Sequence, residues 1–196
     1  THFAVSDEPD SNFTQLQFER FVSAVRELEE LSQRPLGIKH CANSGAVVNF
    51  RQTCLDMVRP GLLLYGLYPG AERGGLNLKP VMSVKTRVAE ITHHRAGDTI
   101  SYGRTFTCPR DMTIAVIPIG YADGLPRRLS GQFSVSVNGR RAPQVGTICM
   151  DMCMLDVSDM PSVRVGDIVT VFGDEPLAGE LAEKAGTISY ELLCAV

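Results

Sequence analysis

No apolar run in this chain approaches the roughly 20 residues that a membrane-spanning helix needs, so no segment of it reads as a spanning helix. An excess of basic charge is also lacking. The 19 Lys and Arg stand against 22 Asp and Glu, for a net charge of -3, which leaves no electrostatic footprint for nucleic acid or anionic lipid. Repeats and low-complexity tracts are absent. There are only four His, two of them adjacent (His93, His94), and the six cysteines (Cys41, Cys54, Cys108, Cys149, Cys153, Cys194) form no C-x-x-C pair. Zinc spacing is therefore missing, and the cysteines read as free, mostly buried thiols of a reducing cytoplasm. The opening Thr1-His2-Phe3-Ala4-Val5 has no initiator Met, basic region or signal-like apolar region, and reads as a chain entered in its middle. What remains is ordinary globular material, 44% hydrophobic and 21% charged over 196 residues, with enough apolar content for a substantial core.

The apolar pattern changes period along the chain. Phe18, Phe21, Val22, Val25 and Leu28 recur at helical spacing, and the pattern predicts an amphipathic helix ended by Pro35. Thr14 and Gln17 are placed for a capping box at its start, with Phe13 and Phe18 as the hydrophobic staple. Short strands are expected at 36–39 and 56–58 with a helical stretch between them, an order that implies parallel pairing with a right-handed crossover. After Tyr68-Pro69-Gly70 the Gly-rich stretch to Asn77 reads as a linker. Beyond it strands dominate. Met82, Val84, Thr86 and Val88 alternate with polar residues, and Val135 and Val137 precede Asn138-Gly139, a strong hairpin signal. Further strands are expected at 148–155 and 168–172. A helical tail is expected around 180–185, with Gly186 as its C-cap and Thr187 as a possible start for another turn.

Two short apolar runs end in polar clusters. His40-Cys41-Ala42-Asn43-Ser44 closes the first, and Met57-Val58-Arg59-Pro60-Gly61-Leu62, followed by Leu64-Tyr65-Gly66, closes the second. A β/α barrel presents a phosphate cradle in this way at the carboxyl ends of its strands. A phosphate needs convergent N–H and hydroxyl donors and a close backbone approach, which Gly61 permits by lacking a Cβ. Asn43-Ser44 also reads as a helix cap, and the two readings are compatible because a capped helix start is itself an anion site. Arg59 taken alone is an ordinary surface ion-pair residue, and Tyr102 a β-domain tyrosine with its hydroxyl at the surface. Three more segments stand out: Ile100-Ser101-Tyr102-Gly103-Arg104-Thr105-Phe106, Ile119-Gly120-Tyr121-Ala122-Asp123-Gly124 and Gly146-Thr147-Ile148-Cys149-Met150-Asp151, with Ile188-Ser189-Tyr190-Glu191 near the end. Cys149 and Cys153, four apart on an expected strand, leave no complete metal-ligand set.

Together these separated motifs resemble the alanine racemase family, which interconverts L- and D-alanine with pyridoxal 5′-phosphate (PLP). The resemblance runs the whole length, yet covers what looks like only the second half of such a protein. It implies an α/β plus β architecture: the last part of a PLP-binding (β/α)8 barrel over 1–70, then a mainly β domain over 76–196 that completes the partner subunit's active site. It places Ser44, Gly61, Leu62 and Tyr190 at the PLP phosphate, with Asn43 beside them, and Arg59 facing the pyridine nitrogen. His40 is implied as the orienting partner of Arg59, and His2 as a neighbour of the cofactor. A guanidinium keeps its proton and only donates, so such an Arg weakens the cofactor as an electron sink and limits side reactions. Racemisation needs acid/base groups on opposite faces of Cα. The resemblance implies Tyr102 as one of them, entering the neighbouring subunit of a homodimer. Tyr121 is implied at the substrate entrance, and the Met150 backbone N–H at the substrate carboxylate.

The family's PLP lysine sits in a Lys-Ala-x-Ala-Tyr-Gly segment, and none of Lys39, Lys79, Lys85 and Lys184 has that setting. The chain alone is therefore expected to be inactive. Leu193-Cys194-Ala195-Val196 reads as stopping before the family's terminal strand. The reading is a cytoplasmic homodimeric enzyme supplying D-alanine for peptidoglycan, with no metal, nucleic-acid partner or membrane segment in this chain. Three alternatives stay open. One is a serine or broad-specificity racemase, against which Tyr190 points, since serine-racemising relatives carry a smaller polar residue there. Another is a non-catalytic PLP-binding barrel protein, against which Tyr102 and Met150 argue. The third is a fragment with a structural or dimerisation role.

Overall fold

The helical period near the start forms α1 (Asn12–Ser32) in a computed structural model that describes residues 1–70 and 73–196. The chain divides into two units, Thr1–Val81 and Met82–Val196. In the first, Phe18 and Phe21 pack against a small core of Phe3, Cys41, Ala42, Ala46 and Phe50, whereas Leu28, which shares their period, is exposed. The expected capping box does not form, and no side chain caps the helix at Ser11. The Gln17 amide is engaged elsewhere: it accepts from Ala4 N–H at 3.2 Å and donates to His2 O at 2.7 Å and Thr1 Oγ1 at 3.1 Å. Phe13 is exposed, so the staple is missing too.

The strands expected at 36–39 and 56–58 do not build a ladder. The two segments and the residues that follow them meet through Asp56 N–H to Lys39 O (3.1 Å) and Arg59 N–H to Ala42 O (2.8 Å), with one parallel bridge, Asn43 to Arg59. Between them run α2 (Ser44–Asn49) and a 3₁₀ turn (Arg51–Thr53), and α3 (Gly61–Leu64) follows the second segment. The expected linker includes residues 71–72, which lie outside the described residues. Beside it, the Tyr68 hydroxyl accepts from Leu78 N–H (3.0 Å) and donates to Leu76 O (2.7 Å).

The second unit holds β1 (Val84–Arg87), β2 (Glu90–His94), β3 (Thr99–Ile100), β4 (Phe106–Thr107), β5 (Met112–Ile117), β6 (Ser134–Val137), β7 (Arg140–Val145), β8 (Cys153–Asp156) and β9 (Ile168–Phe172). Seven of these strands form an antiparallel sheet in the order β1-β9-β6-β7-β8-β5-β2, and β3 pairs with β4. The edge strands β1 and β2 are joined by Val88 and Ala89 alone. A flat sheet of this width would separate its edges by about 29 Å, and so short a connection reaches only about 10 Å, so the sheet curls until its edges approach. Its interior is lined by side chains such as Ile117, Leu155, Val135 and Val169, which the strand register places on one face. Asn138 (φ 50°) and Gly139 (φ 73°) make the left-handed two-residue turn between β6 and β7. Burial pushes the Cys153 thiol up to about 12, which leaves it without thiolate reactivity at neutral pH.

Two sequence expectations fail in this unit. β8 begins at Cys153 and not at 148. Gly146, at φ 71°, turns the chain out of β7, and Cys149 N–H closes on Met152 O at 2.9 Å. The residues from 146 to 152 therefore form a loop, and Cys149 and Cys153 do not share a strand. Among the described residues no group of three or more His, Cys, Asp or Glu could hold a metal ion. The tail forms α4 (Ala178–Lys184) and α5 (Ser189–Cys194), with Gly186 at φ 63° between them. Thr187 does not start α5; Ile188 holds the N-cap position, and the Thr187 hydroxyl is drawn to the Glu191 carboxylate.

α4 is tied to the sheet by Arg141, which donates to both Glu180 oxygens (3.1 and 2.6 Å) and to Glu175 (2.6 Å). Hydrogen bonding from Arg141 holds the Glu180 carboxyl below the usual range. A depressed folded-state pKa stabilises above the unfolded value and loses that contribution as pH falls through the folded one. In the full-length protein, Glu180→Gln should therefore cost about 0–1 kcal/mol near neutral pH, the partners being about one-third exposed. Thermal melts should show that difference shrinking as pH falls below the ordinary carboxylate range.

Candidate active site

In the first unit, Asn43 caps α2 by accepting Ala46 N–H at 3.0 Å, and its Oδ1 also accepts the Ser6 hydroxyl at 2.6 Å. Asn49 donates to Ser6 O at 3.0 Å, so the segment after Phe3 is fastened along α2. Ser44, the first residue of α2, is almost fully buried (1% exposed). Its Oγ accepts Leu63 N–H at 3.3 Å from α3, and among the described residues no acceptor takes the hydroxyl proton. The starts of α2 and α3 are thus brought together through Ser44, next to Gly61 and Leu62.

The parallel bridge sets Arg59 beside Asn43. The Arg59 guanidinium meets His40 Nδ1, His2 Nδ1 at 3.2 Å and Thr1 O at 3.0 Å. Because a guanidinium only donates, both Nδ1 atoms accept, and the imidazole proton of each neutral ring lies on Nε2. These contacts engage three of its five N–H donors. Lys39 stands apart from this set, paired to Glu29 at 2.9 Å. That hydrogen bond raises the Lys39 ammonium above its ordinary value, which keeps it protonated and leaves little free amine to accept a proton at neutral pH.

In the second unit the loop from 146 to 152 organises three candidate residues. Tyr102 lies in a 3₁₀ turn (Tyr102–Arg104) and is 74% exposed. The turn is bounded by Ser101 (φ 68°, ψ 177°) and Arg104 (φ 51°), conformations that cost on the order of 1–3 kcal/mol each for non-glycine residues. Thr147 contacts this turn through Ser101, Tyr102 and Thr105. Gly146 must be glycine there, since a Cβ would sit 2.8 Å from Ser101 Cβ at positive φ. On the far side of the loop, the Tyr121 and Ala122 N–H groups donate to the carbonyls of Cys149 (3.0 Å) and Met150 (2.9 Å). Tyr121 (44% exposed) and Met150 (59% exposed) thereby stand on touching loops. Tyr102 also forms part of the wall of a cavity of about 380 Å³ that includes Ser101, Cys149, Met152 and His94. Tyr190 lies on α5 with its ring partly exposed, while Leu192 and Leu193 are buried.

The candidates thus fall into two groups: His2, His40, Asn43, Ser44, Arg59, Gly61 and Leu62 in the first unit, and Tyr102, Tyr121, Met150 and Tyr190 in the second. They are fastened by Ser6 and Asn49, which the sequence reading does not mark, and by Ser101 and Thr147, which it places in motifs without a role. Their hydrogen bonds span tens of residues, and single Ser, Thr or Asn side chains carry no local signal of that.

A sequence model of the alanine racemase N-terminal domain matches residues 1–69, and one of the alanine racemase C-terminal domain matches residues 81–196. The chain belongs to the alanine racemase family. It is 47% identical to an alanine racemase of Desulforamulus reducens, over 99% of this chain and 53% of that protein. It is 48% identical to one of Chlorobaculum tepidum, over 100% of this chain and 51% of that protein. Among solved structures, an alanine racemase of Clostridium difficile 630 in complex with cycloserine superposes with a TM-score of 0.94 at 37% identity, covering 100% of this chain and 52% of that one. The alanine racemase of Bacillus anthracis with bound L-Ala-P gives 0.91 at 39% identity, covering 100% and 52%. The chain spans about half the length of the curated relatives it matches. Its fold is that of the alanine racemase family, part of the N-terminal barrel followed by a mainly β C-terminal domain.

Proposed function

We propose that the full-length protein to which this chain belongs is a PLP-dependent alanine racemase, interconverting L- and D-alanine. The observation that carries the reading is the donor set around Arg59 and Ser44. A buried hydroxyl whose proton no described residue accepts, beside the starts of α2 and α3, suits a phosphate monoester. A guanidinium steadied by His40 and His2 suits an acceptor nitrogen. Ser44, Gly61, Leu62 and Tyr190 would hold the phosphate, with Asn43 fixing the start of α2 and Arg59 donating to the ring nitrogen. Bound PLP would supply a conjugated, electron-withdrawing ring that acidifies the substrate Cα–H.

Tyr102 would take and return a proton at its phenolic oxygen on one face of Cα. The opposite face needs a second acid/base group, which Lys39 does not supply because Glu29 holds it. That group belongs to the rest of the full-length protein. Met150 N–H would meet the substrate carboxylate and Tyr121 would narrow the entrance. Three large side chains, Tyr102, Tyr121 and Met150, stand exposed around one loop, which supports their completing the site of a second subunit in a homodimer. Free thiols at all six cysteines fit a reducing cytoplasm, where D-alanine would feed peptidoglycan synthesis. Tyr190 favours alanine over serine.

The test is D-alanine formation from L-alanine by the full-length protein with PLP, with L-serine in parallel. No D-alanine, or faster turnover of serine, overturns the reading. Mixing Tyr102→Phe subunits with subunits lacking the PLP lysine tests the shared site. Both defects would fall in one site of each heterodimer and leave the other intact, so activity should return.

A further inference from the structure

We infer that Thr147 is the positioning residue for Tyr102, acting as a three-point clamp on the turn that carries the phenol. The inference rests on the proposed role of Tyr102, but its geometry is independent of it. Thr147 Oγ1 lies 3.0 Å from Tyr102 O and 3.1 Å from Thr105 Oγ1, and Thr147 O accepts the Ser101 hydroxyl at 2.6 Å. A carbonyl oxygen can only accept, so the Thr147 hydroxyl proton points at Tyr102 O. The Thr105 hydroxyl must then donate to Thr147 Oγ1. The hydroxyl bonds therefore run in one direction, from Thr105 through Thr147 to the Tyr102 carbonyl. One residue grips the turn before, at and after Tyr102.

The turn needs such a grip. Ser101 and Arg104 both hold positive φ without being glycine, a conformation that persists only where surrounding contacts over-determine it. The Tyr102 side chain is mostly exposed, so its backbone rather than its packing fixes where the phenol stands. Thr147 itself is 7% exposed and follows Gly146, whose missing Cβ leaves room for the Ser101 Cβ and the Ile100 carbonyl. Proton transfer is sensitive to this: a displacement of about 1 Å can cost on the order of a hundredfold in rate.

Thr147→Val keeps the branched shape and removes the hydroxyl, leaving Tyr102 O and the Thr105 hydroxyl without their partner. Thr147→Ser keeps the hydroxyl. In the full-length enzyme, Thr147→Val should lower kcat by about tenfold to a hundredfold with KM for alanine little changed. The loss should be face-specific: solvent deuterium exchange into the enantiomer whose α-proton Tyr102 removes should slow. Exchange into the other enantiomer should persist. Thr147→Ser should recover most of the rate, an outcome that general destabilisation would not give. Hydrogen exchange at amides 102–106 should also quicken in Thr147→Val. Equal loss on both faces, no rescue by Ser, or unchanged amide exchange overturns the clamp. A wild-type protein inactive on alanine would overturn the functional reading instead, and the amide exchange would still decide the clamp.

Discussion

Tyr102→Phe in the full-length enzyme is expected to cut racemisation by at least ~10²–10⁴-fold, the range for a lost acid/base group, while PLP binding persists. The two effects separate because of where the residues lie. Ser44, Gly61 and Leu62 gather around the starts of α2 and α3 in the first unit, and their contacts make no use of the phenol. The Tyr102 backbone is held by Thr147, and among the described residues no hydrogen bond reaches its hydroxyl, so removing one oxygen leaves the turn intact. The defect should therefore be one of proton transfer on one face. Absorbance of the bound cofactor should match wild type, and one enantiomer should still exchange its α-proton with solvent deuterium. Equal rates for wild type and Tyr102→Phe, or loss of cofactor from the variant, would remove Tyr102 from the mechanism.

How far such residues can be read from sequence depends on where their determinants lie. The β6–β7 hairpin is legible because Asn138 and Gly139 supply positive φ within the two residues of the turn itself. The alternation from Met82 to Val88 is equally local, and β1 shows it as alternating burial. The capping box at Thr14 and Gln17 fails for the opposite reason. Its glutamine is claimed by Thr1, His2 and Ala4, which only the tertiary fold brings near. The apolar run from 148 to 155 has strand composition, yet its first half is a loop because Gly146 breaks the direction and the Cys149 and Met150 carbonyls are taken by Tyr121 and Ala122. At 36–39 and 56–58 the apolar pattern predicts strands, but a ladder needs paired neighbours along its length, and among the described residues these segments share one backbone hydrogen bond, from Asp56 N–H to Lys39 O. The candidate site follows the same division. Its protruding members belong to recognisable motifs, while the residues that fix them in place do so through contacts without a sequence signature.

Gly120→Ala is expected to be strongly disruptive at the substrate end of the β domain. Gly120 has an extended backbone (φ −150°), so no glycine-only conformation is involved and the effect is purely steric. A Cβ there would lie 2.3 Å from Cys149 O and 2.4 Å from Met150 O. Those same carbonyls accept the Tyr121 and Ala122 N–H groups. Neither side can yield without breaking the pairing that holds Tyr121 against the Met150 loop. Overpacking of this kind costs about 1–3 kcal/mol, and the displaced loop carries the proposed carboxylate contact. In the full-length enzyme the variant should melt earlier, and kcat/KM for alanine should fall by about tenfold to a hundredfold, mostly through KM. Gly179→Ala supplies the contrast. Its Cβ would meet only Ser189 Oγ at 3.6 Å, an ordinary contact, within helix α4, so it should leave activity unchanged and stabilise by up to about 1 kcal/mol. The same added methyl should thus act with opposite signs at the two sites. A Gly120→Ala enzyme as stable and as active as Gly179→Ala would show that the two loops are not in contact as described.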